Sequence, residues 1–241
     1  SSGTTPSSRT LSPFGSIPQS VPTSYSNYFG GTGYLTLPAT SGFAFGTGNF
    51  TVECWLKLPS TSAPAGGILA PSTYTGNLYW AMILDTNSLY WQSGHGITTL
   101  FTSSVASYLG DWFHVAVVRT SGTTKMYFNG IQVASAADTN NYALSAQTFN
   151  LGRNGDGNYI LPSGANISNL RVVKGVGVYT ETFTPPTSPF TSTQIANSNG
   201  NPSAAITGTA TSLLTCQSST FIDNSTNALT ITVLGDTKPR T

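Results

Sequence analysis

The sequence predicts an all-β domain built from two antiparallel sheets packed face to face. Three observations carry this. Short apolar runs recur between clusters of Gly, Pro, Asn and Ser, and no window of ten or more residues sustains a helical period. Two hairpins are explicit: Leu78-Tyr79-Trp80 and Leu89-Tyr90-Trp91 flank Asp85-Thr86-Asn87-Ser88, and Asn129-Gly130 sits between Met126-Tyr127-Phe128 and Ile131-Gln132-Val133. The pattern yields more than ten strands, too many for one flat open sheet, so the chain must fold into two sheets that share a core.

Taken in order, residues 1–27 are rich in Ser, Thr and Pro with little apolar periodicity. So little burial cannot offset the entropy of ordering them, and they read as an extended arm or linker. The sandwich is expected over 28–190, followed over 191–241 by a linker and C-terminal strands that pack on it or extend it. Strands are expected at 34–37, 50–58, 67–70, 77–84, 88–92, 112–119, 124–128, 131–136, 147–152, 165–173, 213–216 and 229–234. Along 50–58 the apolar set Phe50, Val52, Cys54, Leu56 and Leu58 falls on one face. Thr51, Glu53, Trp55 and Lys57 fall on the other, the pattern of a half-buried antiparallel strand.

Charged residues are only 7% of the 241, so the surface is expected to be neutral and hydroxyl-rich. The 9 Lys and Arg are scattered singly and the net charge is +1, which leaves no basic patch for nucleic acid or anionic lipid. Apolar runs such as Ala81-Met82-Ile83-Leu84 are far shorter than the roughly 20 residues of a membrane span, so no membrane insertion is expected. Cys54 and Cys216 read as two buried thiols, with one bridge as the alternative in an oxidising compartment. Ser-Ser-Arg-Thr at 7–10 and Lys-Pro-Arg-Thr at 238–241 echo one another, as expected of one unit in a longer chain or tandem array.

The run DWFHVAVVR over 111–119, followed by KMYFNG over 125–130, resembles the central strand pair of the laminin-G/concanavalin-A-like family. YFGGTGYLTL over 28–37 and FGTGNFTVECWL over 45–56 resemble its opening strands, and LGRN at 151–154 and ISNLRVVKG at 167–175 its closing ones. The stretches 178–190 and 212–225 are similar to an extension found in such domains of bacteriophage structural proteins. The resemblance implies a jelly-roll sandwich on a virion surface, as part of a tail or head fibre or as capsid decoration. Its expected partners are other virion proteins, further copies of itself and a cell-surface polysaccharide. A secreted carbohydrate-binding module is the alternative. Fold alone does not decide between them.

An enzyme is not expected. Retaining glycosidases need two carboxylates about 5 to 5.5 Å apart. The acids Glu53, Asp85, Asp111, Asp138, Asp156, Glu181, Asp223 and Asp236 include no pair spaced i, i+2 or i, i+4. Glu53 beside Trp55 is the least implausible member of a pair assembled from distant segments, and polysaccharide depolymerase is the third reading. His114 lies mid-strand with no ligand-spaced neighbour and reads as a packed, hydrogen-bonded histidine. A pyranose stacks its C–H face on an aromatic ring while amides bond its hydroxyls. Tyr79, Trp80, Tyr90, Trp91 and Gln92 are therefore the glycan-binding candidates, with one aromatic of each Tyr-Trp pair facing out and plain cross-strand packing as the competing account. No cofactor is expected unless calcium binds Asn154, Asp156 and Asn158, a segment that reads equally as an Asn/Gly turn.

Overall fold

In the structure, a computed structural model, the described residues are 21, 25–62, 64–74, 79–94, 98–144, 146–155, 157 and 159–241. Among them the only helices are single 3-10 turns, and the rest of the regular structure is strand. The strands are β1 (Ser26–Phe29), β2 (Tyr34–Leu37), β3 (Phe50–Lys57), β4 (Gly66–Pro71) and β5 (Trp80–Asp85). Then come β6 (Ser88–Ser93), β7 (Thr98–Ser104), β8 (Trp112–Thr120), β9 (Thr123–Phe128) and β10 (Ile131–Ala137). The last are β11 (Phe149–Leu151), β12 (Ala165–Lys174), β13 (Thr211–Thr215), β14 (Thr232–Leu234) and β15 (Lys238–Arg240).

An eight-stranded sheet runs β10-β9-β8-β3-β12-β1-β15, with β13 also on β12, and a seven-stranded sheet runs β14-β2-β11-β4-β5-β6-β7. Every named strand pair is antiparallel. This is the two-sheet antiparallel sandwich that the strand count demanded. The hairpins form where the turn residues put them. Thr86 and Asn87 (φ 45° and 59°), Ser121 and Gly122 (48° and 76°), and Asn129 and Gly130 (47° and 79°) each supply two positive-φ residues, as two-residue hairpins of the mirror-image type require. Gly130 has a second reason to be glycine: a Cβ there would lie 1.7 Å from the Phe183 carbonyl oxygen.

Between the sheets, Phe45, Trp80, Trp91 and Phe50 form a closed ring of stacked contacts with centroid separations of 4.5 to 5.2 Å. Each indole is anchored, Trp80 Nε1 donating to the Phe43 carbonyl (2.8 Å) and Trp91 Nε1 to the Tyr142 hydroxyl (3.2 Å). Arg119 is fully buried behind this ring. It donates to the carbonyls of Gly46, Gly48 and Asn140, lies 3.6 Å from Asp138, and sits over the Phe50 and Tyr142 rings.

Strand β3 differs from expectation. Its inward set is buried as read, but Thr51, Glu53 and Trp55 on the other face are also fully buried. The alternation was right and its meaning was wrong, because the segment after β12 folds back over the outer face of the eight-stranded sheet. Tyr179, Phe183 and Ile206 pack there against Ala116, Val118 and Tyr127. Phe190 and Leu214 pack on Trp55. Thr51 Oγ1 donates to the Val176 carbonyl and accepts from the Val178 amide, so a residue that looked solvent-facing instead ties down the cover. The C-terminal strands then close both sheets, β14 pairing with β2 and β15 with β1. Three strands were not expected. Strand β1 takes its first two residues, Ser26 and Asn27, from the stretch read as an arm, and it pairs with β12 and β15. Strands β7 and β15 escaped notice because Thr98–Ser104 is mostly Thr and Ser and Lys238–Arg240 is charged with a central Pro. Both lie at sheet edges, where polar residues and Pro are tolerated.

Candidate functional site

Strands β5 and β6 set the site through alternation. In their register Ile83 faces Tyr90, Ala81 faces Gln92 and Met82 faces Trp91. Trp80, Met82, Leu84, Leu89 and Trp91 point into the core, so Ala81, Ile83, Asp85, Tyr90 and Gln92 belong to the outer face of the seven-stranded sheet. There a cleft of about 230 Å³ opens, lined by Ala65, Tyr74, Ile83, Asp85, Tyr90, Gln92, Asn154 and Tyr159. Its apolar floor is a small cluster of Ala70, Ala81 and Ile83 with Tyr74 and Tyr90 packed on it. Tyr159, 49% exposed, stands at the rim.

The polar groups are few. Asn154 Oδ1 accepts from the Tyr159 amide (3.2 Å), and the Asn154 backbone amide donates to the Tyr159 carbonyl (3.0 Å), which ties Tyr159 to Asn154. Gln92 is only 8% exposed, and its Oε1 is a buried acceptor with no hydrogen-bond partner among the described residues. Asp85 Oδ1 accepts from Thr86 Oγ1 at 2.9 Å. Among the described residues no Lys, Arg or His lines the cleft.

The five glycan candidates therefore separate. Tyr90 and Gln92 line the cleft, and Tyr79 lies buried beneath Tyr74, their ring centroids 4.9 Å apart. Trp80 and Trp91 are core residues with no exposed surface, so any platform rests on the tyrosines. Of the calcium candidates, Asn154 lines the same cleft, while Asp156 and Asn158 lie outside the described residues. Among the described residues no group of three or more His, Cys, Asp and Glu side chains could hold a metal ion. Tyr74, Tyr159 and Asp85 were missed as site residues. Tyr74 and Tyr159 come from loops about 85 positions apart, and nothing local in either loop signals that they line one cleft.

A second polar centre lies under the cover on the outer face of the eight-stranded sheet. Glu53 Oε1 accepts from Arg171 Nε (2.9 Å) and Nη2 (2.6 Å), and Glu53 Oε2 accepts from the Tyr179 hydroxyl (3.1 Å) and sits 3.2 Å from His114 Nε2. Burial alone would raise the Glu53 carboxyl, but the Arg171 charge and the His114 contact outweigh it and hold the group at about 2. Burial and the neighbouring Glu53 charge push the Tyr179 hydroxyl well up. Glu53 is thus an ionised, fully enclosed carboxylate saturated with donors, with no surface to offer a glycosidic oxygen. His114 is packed and hydrogen-bonded in the same network.

The fold and site define a class: an antiparallel sandwich with a tyrosine-lined cleft on one outer face and with Glu53–Arg171 and Asp138–Arg119 buried as ion pairs. Residues 29–176 match the family model described as the Concanavalin A-like lectin/glucanases superfamily, of laminin-G type. The chain belongs to this family. A search of curated protein sequences gave no match. Among solved structures, a candidate carbohydrate-binding protein from Bacteroides ovatus is similar at 14% identity and a TM-score of 0.54, over 92% of this chain and 60% of that one. Domains LG4-5 of the mouse laminin alpha1 chain are similar at 14% identity and a TM-score of 0.47, over 62% and 41%. A botulinum neurotoxin type C structure aligns at 15% identity and a TM-score of 0.41, over 59% and 37%. The chain therefore spans 60% of the length of the Bacteroides protein, and at these identities the likeness is one of fold.

Proposed function

We propose that this chain is a non-enzymatic adhesion module that holds a glycan in the cleft of the seven-stranded sheet. One observation carries the proposal: Gln92 Oε1 is a buried acceptor without a partner among the described residues, beside the outward ring of Tyr90 and in a cleft that Tyr74 and Tyr159 also line. A buried acceptor left unmet costs roughly 1–3 kcal/mol. A sugar hydroxyl that enters as the Gln92 amide turns toward it recovers that cost, while the ring's C–H face lies on Tyr90 or Tyr159. At about 230 Å³ the cleft is smaller than a drug-sized site and suits one or two pyranose rings. Affinity for a single chain end is then on the order of 1 mM, which requires several copies for firm adhesion.

The test is a glycan array probed with the protein clustered on beads, followed by titration of the best ligand. Tyr90→Ala should lose at least tenfold in affinity with the fold intact. Equal binding by the variant, or no ligand on a broad array, sinks the proposal.

The resemblance of 178–190 and 212–225 to phage structural proteins supports placing the module on a virion surface, beside other virion proteins and further copies of itself. The weakly charged, hydroxyl-rich composition supports the same placement. Mass spectrometry of purified particles from the source sample tests it. Abundant peptides in intact virions are expected, and recovery only from the secreted fraction would assign the chain to free lectins instead.

A further inference from the structure

We propose that the cleft prefers glycans bearing a free amine, and that Asp85 is the residue that sets this preference; the inference rests on the glycan-binding function proposed above. The balance of donors and acceptors in the cleft points this way. Among the described lining residues Asp85 is the one charged side chain, exposed at the end of β5, where the alternation of the strand puts it on the same outer face as Ile83. Its Oδ1 is shared with Thr86, and its Oδ2 has no hydrogen-bond partner among the described residues. Gln92 contributes a second unmet acceptor, buried at 8% exposure. Against these, the Asn154 Oδ1 is already taken by the Tyr159 amide, which leaves its amide nitrogen and the Tyr90 and Tyr159 hydroxyls as donors. Among the described residues no basic side chain lines the cleft to receive a carboxylate.

A ligand is therefore asked for two donors, one to Asp85 and one to Gln92, and for positive rather than negative charge. A glucosamine-type ring supplies both, since its ammonium carries three donors and a charge while its remaining hydroxyls can reach Gln92. The walls favour the same cation, because an ammonium over a tyrosine face is attracted by the ring quadrupole. A uronate places its carboxylate against Asp85 with nothing to compensate it, and an N-acetylated ring loses the charge. Asp85 lies at the surface, where ion pairs are screened, so the preference is modest and falls with salt.

The test uses three tetrasaccharides titrated by calorimetry at pH 6, where a sugar amine is protonated: β-1,4-linked glucosamine, its fully N-acetylated counterpart, and a uronic acid oligomer. The glucosamine oligomer should bind about five- to tenfold more tightly than the N-acetylated one at low salt, the gap should shrink at 0.5 M salt, and the uronate should bind weakest. Asp85→Asn should remove the amine preference, bringing the glucosamine and N-acetylated oligomers to within about twofold of one another. Tyr90-dependent binding of the N-acetylated oligomer with no gain from the amine, or an amine gain that survives Asp85→Asn, overturns this inference while the glycan-binding function stands. Failure of all three oligomers, together with an empty glycan array, overturns both.

Discussion

Replacing Glu53 by Gln probes the covered face of the eight-stranded sheet. The carboxylate neutralises Arg171, whose side chain is 2% exposed, and receives the Tyr179 hydroxyl as well. Gln keeps the shape and one acceptor, but it removes the counter-charge and turns an N–H pair toward Tyr179 and His114. Breaking a buried pair on one side typically costs about 3–5 kcal/mol, because the remaining charge is stranded. A second route gives a similar size: a carboxyl held at about 2 instead of 4.5, with each pH unit worth about 1.4 kcal/mol, corresponds to roughly 3–4 kcal/mol. Against a total stability of about 5–15 kcal/mol this is a large fraction. Urea unfolding followed by tryptophan fluorescence should show the midpoint falling at pH 7 with the slope unchanged. The pH dependence has a definite sign. Because the folded-state value lies below the unfolded one, the Glu53 contribution is complete above about pH 4.5 and fades as pH falls toward 2. The gap between wild type and Glu53→Gln should therefore close over that window. A gap under about 1 kcal/mol at pH 7, or one that persists unchanged at pH 2.5, would refute the assignment of Glu53 as a structural anion.

Other outcomes follow from the same packing. Gly130→Ala places a Cβ against the Phe183 carbonyl at φ 79° and should cost about 1–3 kcal/mol, lowering Tm by a few degrees; an unchanged Tm would contradict the close approach of the cover to that turn. Cys54 and Cys216 are unbridged, fully enclosed and pushed up by burial, so a thiol reagent should label them only as fast as the protein unfolds, and rapid labelling of the native protein would contradict this. Trp91→Ala should lose about 3–5 kcal/mol of stability while its neighbour Tyr90→Ala loses little, because the two side chains sit on opposite faces of β6; equal losses would contradict that placement.

The sandwich was legible because its signals are local. Asn129-Gly130 and Thr86-Asn87 announce their turns, and Phe50, Val52, Cys54 and Leu56 alternate as the inner face of β3. The second buried face was not legible, since Thr51 and Glu53 look like solvent residues until Val176, Val178 and Arg171 arrive from more than a hundred positions away. Trp55 on that same face was the one hint. The cleft was half visible: Tyr90 and Gln92 follow from the hairpin alternation, whereas Tyr74 and Tyr159 enter from loops whose meeting depends on tertiary structure. Alternation also could not say which aromatic of each Tyr-Trp pair faces inward. The larger, more apolar indoles take the core positions, and the phenols keep their hydroxyls toward the outer face.

The most direct measurement is a two-dimensional NMR titration of the protein with the best glycan from the array, following the side-chain amides of Gln92 and Asn154. A cleft that holds sugar predicts saturable shifts of both amides, with Gln92 moving most as its Oε1 gains a donor, and their disappearance in Tyr90→Ala. Saturable glycan binding that leaves both amides unmoved would place the site elsewhere on the sandwich and contradict the account.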